Sequence, residues 1–186
     1  MLVLDSCALL HAKQLGEPLE LACAVLVEQA IPVAMTKKLY GQHGQMGLRG
    51  PLDLLGVQTL NARTVDLRRA RNQLSKSFRL PEESDQEAVV VAWVHKGAVL
   101  THDRKACQMA HALGVPTGDL LDLLAFGVDT GVLDAATVNI ALTRLPGPPP
   151  FAWQPLDAHP GYRSLTLASV RQNEHLFDSL RAMSRV

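Results

Sequence analysis

Residues 82–106 read EESDQEAVVVAWVHKGAVLTHDRKA. Ala88, Val89, Val91, Ala92 and Val94 predict a heavily buried helix that Lys96-Gly97 ends. Ser84 as N-cap with Glu87 three residues on predicts a capping box at its start. The run from Ala98 to Thr101 predicts a short buried strand, and Asp103 opens the helix that follows. Two acids, Asp85 and Asp103, thus flank a segment too apolar to carry chemistry itself. In a parallel sheet the helix that feeds a strand begins at the carboxyl edge, which is also where the loop after that strand lies. Both acids are therefore expected at one edge.

Upstream, Leu2 to Leu4 predicts a central strand with Asp5 at its carboxyl end, and Asp5-Ser6 predicts a cap for a helix to about Lys13. Glu17-Pro18 opens a second helix, residues 31–35 predict a second strand, and Thr36 caps the helix TKKLYGQH. Glycines at 41, 44, 47 and 50 then predict a surface loop. That loop matches neither GxGxxG nor GxxxxGK[ST], although Arg49 within it can reach a phosphate. A third strand is expected over 57–60. Residues 62–79, ARTVDLRRARNQLSKSFR, follow as a helix in which Arg63, Arg68, Arg69, Arg71, Lys76 and Arg79 face the lone acid Asp66. It is read as a solvated face or, if nucleic acid binds, as the RNA-binding surface.

Downstream, a helix to Leu113, an edge strand over 114–116 and helices over 118–126 and 135–145 complete the pattern. Asp119 and Asp122 read as residues that begin and line a helix. The alternation predicts an α/β fold of three α/β/α layers on a mainly parallel sheet of four to five strands. Its domain is expected over 1–145. Residues 146–186 form an extension: the strap PGPPPFAWQPLDAHPGY, with six prolines, and an amphipathic helix over 169–183. That helix packs on the body or a partner, or else forms a disordered tail.

The 186 residues carry no formal net charge, so no global basic field announces nucleic acid. Cys7, Cys23 and Cys107 form no CxxC and read as reduced thiols of a cytoplasmic protein. No apolar run approaches membrane-spanning length, and the start MLVLDSCALL reads as a core strand rather than a signal peptide.

Asp5, Asp85 and Asp103 are expected to meet at the carboxyl edge of the sheet. Gathered carboxylates repel one another, and a hard divalent cation such as Mg²⁺ or Mn²⁺ relieves that repulsion. Such an ion can activate water against a phosphodiester. Zinc is disfavoured, since no Cys/His cluster occurs.

VLDS at the start, SDQEAVVVAW in the middle and LTHDRKACQMAHALGVPTGDLLDLL after it resemble the PIN-domain nucleases, over roughly residues 1–145. The resemblance implies a metal-dependent ribonuclease acting on single-stranded or structured RNA, often the toxin of a bacterial toxin–antitoxin pair. By position it implies Asp5, Asp85 and Asp103 as metal ligands, with Ser6 and Thr101 as supporting hydroxyls. An antitoxin protein or a second copy of the chain are the partners it suggests. The family usually carries a Glu on the helix after the second strand, where this chain has Gln42, a ligand without charge that cannot act as a base. His102 stands where many relatives have an acid. Either Gln42 is a weak ligand, or Glu87 or Asp53 substitutes, or the chain is a catalytically weakened module that binds RNA or protein.

Overall fold

Strand β1, Leu2–Leu4, lies at the centre of the sheet in this computed structural model, which describes residues 1–5, 17–45, 49–143 and 173–184. Strands β2 (Val33–Thr36), β3 (Gln58–Leu60), β4 (Ala98–Leu100) and β5 (Thr117–Gly118) pair with it in the order β3-β2-β1-β4-β5, all parallel. In register, Leu4 lies opposite Met35 on one side and Leu100 on the other. The order steps one way from β1 to β2 and β3, and the other way to β4 and β5. The crevice of an open parallel sheet forms where that direction changes, outside the carboxyl ends of β1 and β4.

The period of two along each strand divides the core between two faces. Leu2, Leu4, Val33, Met35, Ala98 and Leu100 belong to one apolar cluster, and Val3, Ala34 and Val99 to the other. The first face is covered by α1 (Glu17–Glu28), α7 (Leu120–Asp129), α8 (Ala135–Thr143) and α9 (Glu174–Met183). The second is covered by α4 (Thr64–Gln73), α5 (Glu83–Val94) and α6 (Arg104–Ala112). The short helices α2 (Lys37–Gln45) and α3 (Arg49–Leu54) follow β2. Strands buried on both faces explain why β1 and β4 read as unbroken apolar runs. Gly97 permits the close return from α5 into β4, since a Cβ there would collide with the Met1 carbonyl.

Five details differ from the sequence reading. The glycine-rich stretch expected as a loop is helical through Gln45 and again from Arg49. Helix α4 ends at Gln73, because Leu74 turns extended and packs on the second core cluster. Lys76 and Arg79 therefore lie beyond it. Helix α5 begins one residue before Ser84, with Glu82 at the N-cap and no side-chain cap, so the Ser84–Glu87 capping box does not form. The edge strand lies at Thr117–Gly118 rather than over 114–116. The terminal helix starts at Glu174, capped by Asn173, whose side chain accepts from the Leu176 amide at 3.3 Å. The expected helix over 6–13 and the proline strap lie outside the described residues, as does the boundary at 145/146.

Helix α9 belongs to the same core as the sheet. Leu176, Phe177 and Leu180 are buried, and the Phe177 ring meets Phe126 edge-on with centroids 5.4 Å apart. Asn173 Nδ2 donates to the Thr117 carbonyl at 2.9 Å, and Arg181 Nη2 pairs with Asp129 at 2.7 Å. Replacing Phe177 with Ala should cost about 3–5 kcal/mol in a urea unfolding series, as for a large aromatic removed from a packed core. A loss below about 1 kcal/mol would mean that α9 is dispensable to the fold.

Candidate active site

The carboxyl end of β1 is Asp5, which is fully buried. Its backbone N–H donates to the Leu100 carbonyl at 3.0 Å, continuing the β1–β4 ladder by one rung. Its Oδ2 accepts from the Thr101 hydroxyl at 2.5 Å, and Thr101 is also fully buried. Thr101 Oγ1 in turn accepts from the Asp103 backbone N–H at 3.1 Å. One hydroxyl therefore joins the ends of two neighbouring strands and sets the start of α6. Asp103 caps that helix by accepting from the Ala106 amide at 2.7 Å.

Asp85 reaches the same edge from the first turn of α5. Burial pushes its carboxyl above the ordinary range. A side-chain hydrogen bond with Asp5 opposes that rise, and the negative charge of Asp103 adds to it. Asp5, Asp85 and Asp103 thus act on one another at the β1–β4 crevice. Ser84 Oγ donates to Asp85 Oδ1 at 3.3 Å. Among the described residues, no group of three or more His, Cys, Asp or Glu side chains is arranged to hold a metal ion. The donor type is nonetheless all oxygen, which suits Mg²⁺ or Mn²⁺.

Other predicted site residues fall elsewhere. Gln42 is exposed on α2. Glu87 Oε1 accepts from the Ala62 amide at 3.2 Å, ahead of α4. Asp53 accepts from the Tyr40 hydroxyl at 2.6 Å. Ser6 and the Arg49 side chain lie outside the described residues. The bases of α4 and its surroundings divide. Arg63 pairs with Asp66 at 2.7 Å, and this bond holds the Asp66 carboxyl below its usual range. Arg71 binds Gln86, whereas Arg68, Arg69 and Lys76 are exposed.

Asp119 and Asp122 begin and line a helix as expected, and two further residues at this edge, Cys107 and Gln86, escaped the sequence reading of the site. Asp119 is fully buried after β5, in the place Asp5 has after β1 and Thr101 after β4. It caps α7 in a reciprocal box with Asp122, and strand-end position was the signal that pointed to the edge. Cys107 lies among these acids. Burial, with the charges of Asp119, Asp103 and Asp5 adding to it, pushes its thiol up to about 12, so it stays protonated. Gln86 is a buried amide beside Asp85, and nothing in its spacing announced a role. Asp122 is pushed up to about 6, mainly by burial.

No family model, curated protein or solved structure matches this chain.

A carboxyl whose pKa is raised on folding favours the folded state below its unfolded value, ordinarily 3.8, and loses that contribution as pH rises through the raised value. Asp85→Asn removes this term. In the metal-free protein, Asp85→Asn should therefore be more stable than the parent at neutral pH, and the gap should close as pH falls below the ordinary carboxylate range. Thermal unfolding across pH measures this. A pH-independent difference would mean that Asp85 is not the titrating group.

Proposed function

We propose that this chain is a PIN-like ribonuclease that uses Mg²⁺ or Mn²⁺ to hydrolyse phosphodiester bonds of RNA. The observation that carries the reading is the placement of Asp5, Asp85 and Asp103 at the crevice of a parallel sheet, with Asp5 fully buried and bonded to Thr101. Carboxyl groups held together at a cost in repulsion are a common mark of catalytic sites. Asp5, Asp85 and Asp103 would hold the cation. When bound, it supplies a water of lowered pKa and a counter-charge for the scissile phosphate. The chain's own contribution is placement: Thr101 fixes the orientation of Asp5, and the α6 N-terminus fixes that of Asp103. Arg68, Arg69 and Lys76, exposed on or just beyond α4, offer cations to the RNA backbone.

The second reading is a module that binds RNA without cleaving it. The exposed amide at Gln42, where the resembled family has an acid, favours it.

Incubation of the pure protein with single-stranded RNA and Mn²⁺ should yield cleavage that EDTA abolishes. Asp5→Asn and Asp103→Asn should each lower it by more than about 100-fold, beyond the effect of losing an outer-shell partner. Thr101→Val, which loses only the orienting hydroxyl, should cost about 10- to 100-fold. Cleavage that survives both Asn variants would reject the assigned site. RNA binding with no cleavage under any divalent ion would favour the module, and Gln42→Glu would then be expected to restore some activity.

A further inference from the structure

Gln86 is a buried amide in the first turn of α5, and burying such a group is costly unless both its ends are bonded. Its Nε2 donates to the Pro81 carbonyl at 2.8 Å. Its Oε1 accepts from Arg71 twice, from Nε at 3.2 Å and from Nη2 at 3.0 Å. Pro81 precedes α5, so one amide ties the entry of that helix to the last turn of α4.

The consequence falls on Arg71. A guanidinium has five N–H donors in a flat fork. Gln86 engages the Nε/Nη2 edge, which leaves the Nη1 side of the fork, and Arg71 is exposed. Its anchor carries no charge, so the full positive charge of Arg71 remains. Arg63 differs, since Asp66 neutralises it. A surface arginine ordinarily loses rotamer freedom when it grips a ligand, and one already held loses less. Arg68 lies one turn back on the same helix face and is also exposed. Gln86 adjoins Asp85 in the first turn of α5, so the fixed guanidinium stands next to the helix turn that supplies an acid to the candidate site.

We propose that Arg71, held in place by Gln86, forms a phosphate subsite that grips the backbone of single-stranded RNA beside the acid cluster. Arg71 is the binding group and Gln86 its positioning residue. The inference rests on the ribonuclease reading and adds to it the cation that sets the register of the strand.

The test is binding of a fluorescein-labelled single-stranded RNA 12-mer to the full chain in EDTA, over a series of salt concentrations. Arg71→Ala should weaken binding about 10-fold, as for loss of a charge-assisted fork contact, and lower the salt slope by about 0.7, the value for one phosphate contact on a single strand. Arg71→Lys should keep the slope but not the affinity, since an ammonium cannot hold Gln86 and a phosphate with one fork. Gln86→Glu, which sets a carboxylate against the fork, should reproduce Arg71→Ala. Lys96→Gln, at the far end of α5, should change neither quantity. Wild-type binding that Arg71→Ala leaves intact would overturn the subsite while leaving the ribonuclease reading standing. Weaker binding of Arg71→Ala with an unchanged salt slope and a lowered melting temperature would mark the Arg71–Gln86 pair as a clamp between helices and overturn it too. An absence of RNA binding by the wild-type chain would instead reject the ribonuclease reading, and the subsite with it.

Discussion

The hydrogen bond from Thr101 to Asp5 is the constraint on which the candidate site depends. Both side chains are fully buried, and a carboxylate in that setting is tolerated only when its oxygens are bonded. The donor comes from the residue after β4 and the acceptor from the residue after β1, so the bond exists only because those strands are parallel neighbours. The same Thr101 oxygen accepts from the Asp103 amide, and so the strand pairing also decides where α6 begins. Helix α5 completes the arrangement. Its apolar body packs across the sheet, which leaves its first turn and Asp85 at the edge where Asp5 and Asp103 already lie.

Much of this was legible because it follows from topology. An acid after a buried strand, repeated at Asp5 and Asp103, can be read from hydropathy alone. So can the approach of Asp85, once a helix is known to feed a parallel strand. The parallel order and the two-faced core follow from strands too short and too uniformly apolar to alternate. Where a helix starts or stops was less legible. Ser84 and Glu87 carry the pattern of a capping box, yet α5 begins before Ser84, and Glu87 turns to the Ala62 amide. A tertiary donor outcompeted a local one. The basic helix ends early for a related reason: Leu74 gains contact with the core by leaving the helical path, and Ser75 and Ser77, weak helix formers, do not resist.

The basic face was legible as composition but not as chemistry. Six bases in one segment look equivalent in sequence. In the fold, Arg63 is neutralised by a buried acid, Arg71 is anchored by a neutral amide, and Arg68 and Arg69 point into solvent unanchored by any comparable contact. Those differences arise from Asp66 and Gln86. Asp66 lies three residues from its partner and was visible in the helix pattern, whereas Gln86 is separated from Arg71 by fifteen residues and reaches it only through helix packing. A buried glutamine is the kind of residue whose role appears only when its bonding partners are known.

The chain holds two pairs of neighbouring buried acids, and their contrast bears on which pair has a chemical task. Asp119 and Asp122 discharge onto the backbone: Asp119 Oδ1 accepts from the Leu121 and Asp122 amides, and Asp122 Oδ2 accepts from the Asp119 amide. They close the end of a helix, although Asp122 Oδ1 is buried without a hydrogen-bond partner among the described residues. Asp5 and Asp85 approach one another from two separate elements instead, with Asp103 adding a further negative field and hydroxyls as neutral partners. A helix cap needs no such confrontation, and a fold under selection for stability alone would be expected to relieve it by substituting an amide. On the proposed reading, a small divalent cation relieves the repulsion of this oxygen-lined crevice when it binds.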